Sequence, residues 1–198
     1  MNMEYNPDKK EIILDKELSN LDKFVIDFCR LIDDYVIVSG YVSILLGRSR
    51  ASEDVDMLVK VSNLDNFMKL WKKIYEAGFE CINTSKPEEA FEMLNETAIK
   101  FSRKNLAVPN MEFKKISKKE HIYSYENKLK VIIRKHILFI SPIEMQIAYK
   151  LMLGKGNNNK DIEDAKHLYE LFKEKLNKPE LFKLIKEMDA EKEFKRIE

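Results

Sequence analysis

Residues 36–60 read VIVSGYVSILLGRSRASEDVDMLVK. An apolar run over Tyr35–Val38 ends in Ser39-Gly40, one or two helical turns fit residues 40–46, and a second apolar run opens on Asp54-Val55-Asp56. Side chains alternate along a strand, so Asp54 and Asp56 point the same way and Val55 points the other way. Two carboxylates on one face repel each other until something neutralises them. One divalent ion within reach of both would do so, since Mg²⁺ is held by one or two carboxylates plus phosphate oxygens and water. A plainer reading makes them turn residues that cap local amides. Ser39-Gly40 also has two readings. Free amides at a helix start favour phosphate, and glycine lets backbone approach a ligand closely. Alternatively, Ser39 is only an N-cap. Arg48 and Arg50, in the connecting loop, are within range of a triphosphate or are solvated surface charges.

Outside this stretch the periodicity is mostly helical. Leu18, Leu21, Phe24, Val25, Phe28 and Ile32 predict a helix over 17–33. Leu64, Phe67, Met68, Trp71 and Tyr75 predict another over 64–77, ended by Gly78. Helices are expected over 87–95, with Pro87 in the first turn, and over 117–125. Strands are expected over 55–59, 79–82, 99–102, 110–116 and 129–134, with 136–140 extended. Ser141-Pro142-Ile143-Glu144 predicts a helix start with Ser141 as cap and Glu144 closing a capping box. A loop over 154–159 holds Asn157-Asn158-Asn159, and helices follow from Asp161 and from Pro179. The chain thus divides into an α/β part, 1–140, and a C-terminal helical segment, 141–198.

The hydrophobic fraction of 44% is enough for a real core, and the charged fraction of 35%, mostly Lys and Glu, is high. A net charge of +1 gives no bulk basic field for nucleic acid, though it leaves room for a local patch. Cys29 and Cys81 are too few for a disulfide framework. His121, His136 and His167 lack metal-ligand spacing. Neither a nucleophile elbow nor a Walker loop is present. No apolar run approaches the ~18 residues of a membrane span, and residues 1–18 do not read as a signal peptide. A soluble, cytoplasmic protein with no membrane partner is expected.

Residues 36–60 resemble the nucleotidyltransferase signature of the polymerase-β-like superfamily: apolar strand, Gly-Gly or Gly-Ser, short helix, Asp-x-Asp on a second strand. Residues 47–56, GRSRASEDVD, look most like the AbiEii-toxin type, which shows an Arg-x-Thr-x-Asp-h-Asp run, with h an apolar residue. Arg50 matches the arginine, Ser52 the threonine, and Asp54 and Asp56 the metal-binding pair. Gly40 matches the second glycine, and Ser39 stands where the first usually is. Residues 140–168 resemble the family's later segment, with Lys150 matching a lysine that approaches the nucleotide and Lys160, Asp161 and Asp164 matching a following run. Read from the residues alone, Lys150 is equally a surface lysine and the two aspartates a helix cap. The superfamily also uses a third carboxylate on a later strand. Glu112, in Asn110-Met111-Glu112-Phe113-Lys114, is the candidate, in place of the usual aspartate. Simple alternation, with Glu112 and Lys114 on a solvated strand face, is the rival reading.

The resemblance implies an α/β (α+β) fold, a mixed β-sheet with flanking helices followed by a helical segment. It implies Mg²⁺ (or Mn²⁺) on Asp54, Asp56 and Glu112, and a nucleoside triphosphate against Ser39, Gly40, Arg48, Arg50, Ser52 and Lys150. The nucleoside monophosphate would pass to an acceptor hydroxyl on RNA, a protein or a small molecule, with a cognate antitoxin or other partner protein as an implied associate. The alternative is a retained fold with weak or lost catalysis, acting as a nucleotide-, RNA- or protein-binding module. A third reading is a purely structural domain. The first two divide on Glu112, which an enzyme needs beside Asp54 and Asp56.

Overall fold

In the computed structural model, which describes residues 2–156 and 159–198, β1 (Asn2–Asn6) and β2 (Glu11–Asp15) form a hairpin ahead of α1 (Asn20–Cys29). Next come β3 (Tyr35–Val38), α2 (Gly40–Leu45), β4 (Asp54–Val59), α3 (Leu64–Glu76), β5 (Phe79–Cys81) and α4 (Pro87–Met93). Then follow β6 (Ile99–Arg103), β7 (Asn110–Lys115), α5 (Lys119–Glu126), β8 (Leu129–Ile133) and β9 (His136–Ile140). The tail is α6 (Ile143–Leu153), α7 (Asn159–Phe172), α8 (Lys178–Glu187) and α9 (Glu191–Phe194). Asn157 and Asn158 of the expected loop lie outside the described residues, and Asn159 already belongs to α7.

Among the described residues the strands make one mixed sheet, ordered β1-β2-β8-β9-β3-β4-β7-β6-β5. Its middle is thin. Parallel β3 and β9 pair only at Ile37 and Ile140, and the Ser141 N–H then donates to the Ile37 carbonyl at 2.9 Å. The chain therefore leaves the sheet centre directly into α6, which places that helix beside the end of β3.

Alternation sorts the two faces. Val55, Met57, Met111, Phe113 and Phe101 are buried on one face, and Phe101 packs edge-on to Trp71 of α3 at 5.5 Å. Phe28 of α1 meets Phe79 at 5.1 Å in the same layer. The opposite face carries Asp54, Asp56, Asn110, Glu112, Lys114 and Lys100. Cys29 and Cys81 are free and buried. No described helix is long and apolar enough to cross a membrane.

The sequence reading missed the β1–β2 hairpin. Tyr5, Ile12 and Leu14 alternate inward there, but Ile13 points out and blurs the pattern. α1 starts at Asn20 rather than 17 because Ser19 and Asp22 form a capping box, in which the Ser19 hydroxyl accepts the Asp22 N–H at 3.1 Å and the Asp22 carboxylate accepts the Ser19 N–H at 2.8 Å. The box expected at α6 does not form. The Ser141 hydroxyl donates to Ser124 Oγ at 3.0 Å, Glu144 accepts the Asn177 N–H at 2.8 Å, and the cap position falls on Pro142. Tertiary partners outbid the local ones.

The tail is fixed to the α/β part by buried charge. Asp164 of α7 is fully buried. Its carboxylate accepts from Arg50 Nε at 3.0 Å and Nη2 at 2.9 Å, and from Lys150 Nζ at 3.1 Å, with Arg48 Nε at 3.7 Å. Lys150 is only 2% exposed and also reaches Asp161 at 2.5 Å. Arg48 adds an ion pair to the exposed Glu163. A buried charge stripped of a partner is costly, so Asp164→Ala, which removes the carboxylate held by Arg50 and one of the two held by Lys150, should lower stability by about 3–5 kcal/mol. Urea denaturation measures this, and an unchanged midpoint would refute the hub role.

Candidate functional site

The register of β4 against parallel β7 sets Asp54 opposite Asn110 and Asp56 opposite Glu112. β6 brings Lys100 opposite Glu112 from the other side. Asp54, Asp56 and Glu112 therefore share one patch of one face, with Glu112 directly beside Asp56.

Lysines neutralise this patch. Lys114, two residues beyond Glu112, puts its Nζ 2.5 Å from Asp56 Oδ1 and 3.1 Å from Glu112 Oε2. Asp54 Oδ1 accepts from Lys100 Nζ at 3.1 Å and from Asn110 Nδ2 at 2.7 Å. The two carboxyls that meet, Asp56 and Glu112, also hydrogen-bond to each other, and their affinities for protons separate. Burial pushes Asp56 up, but the Lys114 ammonium and the hydrogen bonds from Glu112 and Lys114 outweigh it, with a weaker pull from Lys150, and hold Asp56 below the ordinary carboxylate range. Burial and then the bond to Asp56 push Glu112 above that range, against the pull of Lys114. One anion and one readily protonated carboxyl therefore sit side by side.

Of these groups, Asp56 and Lys114 line a cleft of about 390 Å³. Its floor is Val38, Ser39, Asp56, Leu58 and Lys114. α5 supplies His121 and Ser124 to one wall, and α6 supplies Met145, Gln146 and Tyr149 to the other. Burial holds His121 below the ordinary imidazole range, so the ring tends to stay neutral at that wall.

Ser39, at the end of β3, sits at φ 63° and ψ −134°, a conformation suited to glycine. Its side chain makes no capping bond to α2, so the N-cap reading of that hydroxyl does not hold. Its N–H donates instead to Oε1 of buried Gln146, at 3.1 Å.

The remaining nucleotide-contact candidates are engaged elsewhere. Arg48, Arg50 and Lys150 face the carboxylates of α7, as described above. A Cβ added to Gly40 would lie 2.4 Å from Arg50 Nη2, so this glycine makes room for the guanidinium. The Ser52 hydroxyl donates to the Asp54 carbonyl at 2.9 Å, steadying the entry to β4. The surface-lysine reading fails for Lys150, and the solvated-charge reading fails for Arg50, which is 11% exposed.

Sequence reading gave no role to Lys100, Asn110, Gln146 or Tyr149, and it set His121 aside as a metal ligand. Alternation did place Lys114 on the face of Glu112, but as a solvated charge, whereas it pairs with Asp56 and Glu112. Gln146, the only glutamine in the chain, interrupts an apolar helix.

Among the described residues, no three acidic, histidine or cysteine side chains are grouped to hold an ion. Mg²⁺ needs only one or two carboxylates when phosphate and water complete its shell. Asp56 with Asp54 or Glu112 meets that requirement with hard oxygen donors. The Lys114 ammonium already lies against oxygens of Asp56 and Glu112, so the donor set accepts positive charge at that point.

No protein-family model and no curated protein sequence matches the chain. Among solved structures, an antigenic nucleotidyltransferase-like protein from Paracoccidioides brasiliensis superposes with a TM-score of 0.55, at 17% identity, over 78% of this chain and 78% of that one. The fold is nucleotidyltransferase-like. At that identity the likeness speaks for the fold alone.

Ser39→Gly should relax the turn. Strain of about 1–3 kcal/mol at such a residue exceeds the roughly 0.5–1 kcal/mol of chain entropy that glycine costs. Thermal unfolding should show a stabilised variant, and a destabilised one would mean that the Ser39 side chain contributes more than its backbone strain costs.

Proposed function

We propose that the cleft binds a nucleoside triphosphate and that the chain transfers its nucleoside monophosphate to an acceptor hydroxyl. The single observation behind this reading is the register that sets Glu112 beside Asp56, on the face that also carries Asp54. A bound Mg²⁺ (or Mn²⁺), held by Asp54 and Asp56 with Glu112, would supply charge neutralisation and in-line alignment at the α-phosphorus. The residues themselves divide the remaining work. Asp56 stays anionic. Glu112, with its raised proton affinity, is suited to take the acceptor hydroxyl proton. The acceptor oxygen forms a bond to the α-phosphorus as the bond to pyrophosphate breaks. Gln146 holds the Ser39 turn at the edge of the cleft. The nature of the acceptor, whether RNA, protein or small molecule, and a pairing with an antitoxin, are extensions of this reading that rest on the sequence resemblance.

A second reading, nucleotide binding without transfer, is favoured by one observation: Lys100 and Lys114 already neutralise the carboxylates. It predicts stabilisation by nucleotide without product.

Thermal unfolding with ATP, GTP, CTP and UTP, each with and without Mg²⁺ or Mn²⁺, tests binding. One nucleotide should stabilise in a metal-dependent way, by about 2.7 kcal/mol at roughly 100 times Kd, and Asp54→Asn/Asp56→Asn should lose the effect. No response to any nucleotide would sink both readings.

Glu112→Gln separates them. Because the folded protein raises the Glu112 pKa, its contribution to stability is full at low pH and is lost as pH rises through that raised value. An uncharged amide escapes this loss, so the variant should unfold at or above the wild-type temperature at neutral pH. Transfer of label from an α-labelled triphosphate should nevertheless fall by about 10²–10⁴-fold. Retained transfer would remove Glu112 from the base role.

A further inference from the structure

The geometry points to Lys114 as a resident counter-ion, whose ammonium holds the place of a divalent cation between Asp56 and Glu112 and yields it when such a cation binds. The inference rests on the nucleotide-transfer reading of the cleft and concerns how that site is kept ready. Lys114 Nζ lies 2.5 Å from one carboxylate and 3.1 Å from the other. The Asp56 side chain is 16% exposed and that of Glu112 24%, so an unpaired charge there would be poorly hydrated. The ammonium removes that penalty in the metal-free protein. At 34% exposure, the Lys114 side chain also has an open path into the cleft it lines. A lysine head on four carbons can leave without disturbing the strand, which the buried Phe113 beside it anchors. Lys100 serves a different carboxylate, since it and Asn110 both donate to Asp54 Oδ1.

A cation entering between Asp56 and Glu112 must therefore compete with a tethered one. Mg²⁺ or Mn²⁺ alone should bind weakly. A triphosphate changes the balance, because it gives the displaced ammonium an anion of its own.

The test is Mn²⁺ binding to wild type and to Lys114→Met, which keeps the stem and removes the charge, followed by calorimetry and Mn²⁺ paramagnetic resonance without nucleotide. Lys114→Met should bind Mn²⁺ at least about tenfold more tightly, the factor equivalent to ~1.4 kcal/mol. In EDTA it should melt below wild type and recover with Mn²⁺, and Asp56→Asn/Lys114→Met should lose the Mn²⁺ response. Equal or weaker binding by Lys114→Met, or no binding by either protein, would overturn the proposal. If Lys114→Met does not fold, amine acylation of wild type read by mass spectrometry decides instead. Labelling of Lys114 should rise with saturating Mn²⁺, and unchanged labelling would refute displacement. Neither failure touches the nucleotide reading, which stands or falls on stabilisation of wild type by triphosphates.

Discussion

A fully buried carboxylate organises this chain. Asp164 could not remain charged inside the protein without partners, and neutralising it draws Arg50 from the loop after α2 and Lys150 from α6 onto one point. That convergence has consequences on both sides. The loop leading into β4 is held by its arginines, so the strand that carries Asp54 and Asp56 starts from a fixed position. α6 is held by Lys150, so the wall that faces those aspartates is fixed as well. Even Gly40 follows from it, since the Arg50 guanidinium occupies the space a side chain would take.

The second constraint is electrostatic and lies on the sheet. Two aspartates at the mouth of an apolar strand need positive charge, and neighbouring strands provide it: Lys100 from β6 and Lys114 from β7. The acidic patch is thus balanced before any ligand arrives, and the Asp56–Glu112 pair is poised with one member charged and the other readily protonated. A net charge of only +1 is compatible with a strongly structured local field, because opposite charges in this patch are matched residue by residue.

The sequence was most legible where local pattern and tertiary structure agree. β3, α2 and β4 were readable because apolar runs, a Ser-Gly break and alternation all follow from short-range geometry. The hairpin β1–β2 was not, because five-residue strands with an outward Ile13 give a weak period. The start of α6 was misread because Ser141 and Glu144 spend their hydrogen bonds on Ser124 and Asn177, partners 17 and 33 residues away. The same limit applies to the basic residues. Their place in the loop brought Arg48 and Arg50 to notice, and the family resemblance brought Lys150, but only the packing of α7 reveals that their first claim is on Asp164, Asp161 and Glu163.

The turn at Ser39 shows why the helical tail belongs to the site and does not merely cover it. A serine at φ 63° and ψ −134° persists only where its surroundings over-determine it. Here the determinant is Gln146, buried on α6, which takes the Ser39 N–H. α6 can provide it because β9 runs straight into that helix after its single pairing with β3, and because Lys150, one turn further on, locks the helix to α7. The conformation of the turn beside the carboxylates is therefore set by residues more than a hundred positions away. A shift of α6 would release Ser39 and widen the cleft together, so the helices after residue 140 control the shape of the site built on the strands before it.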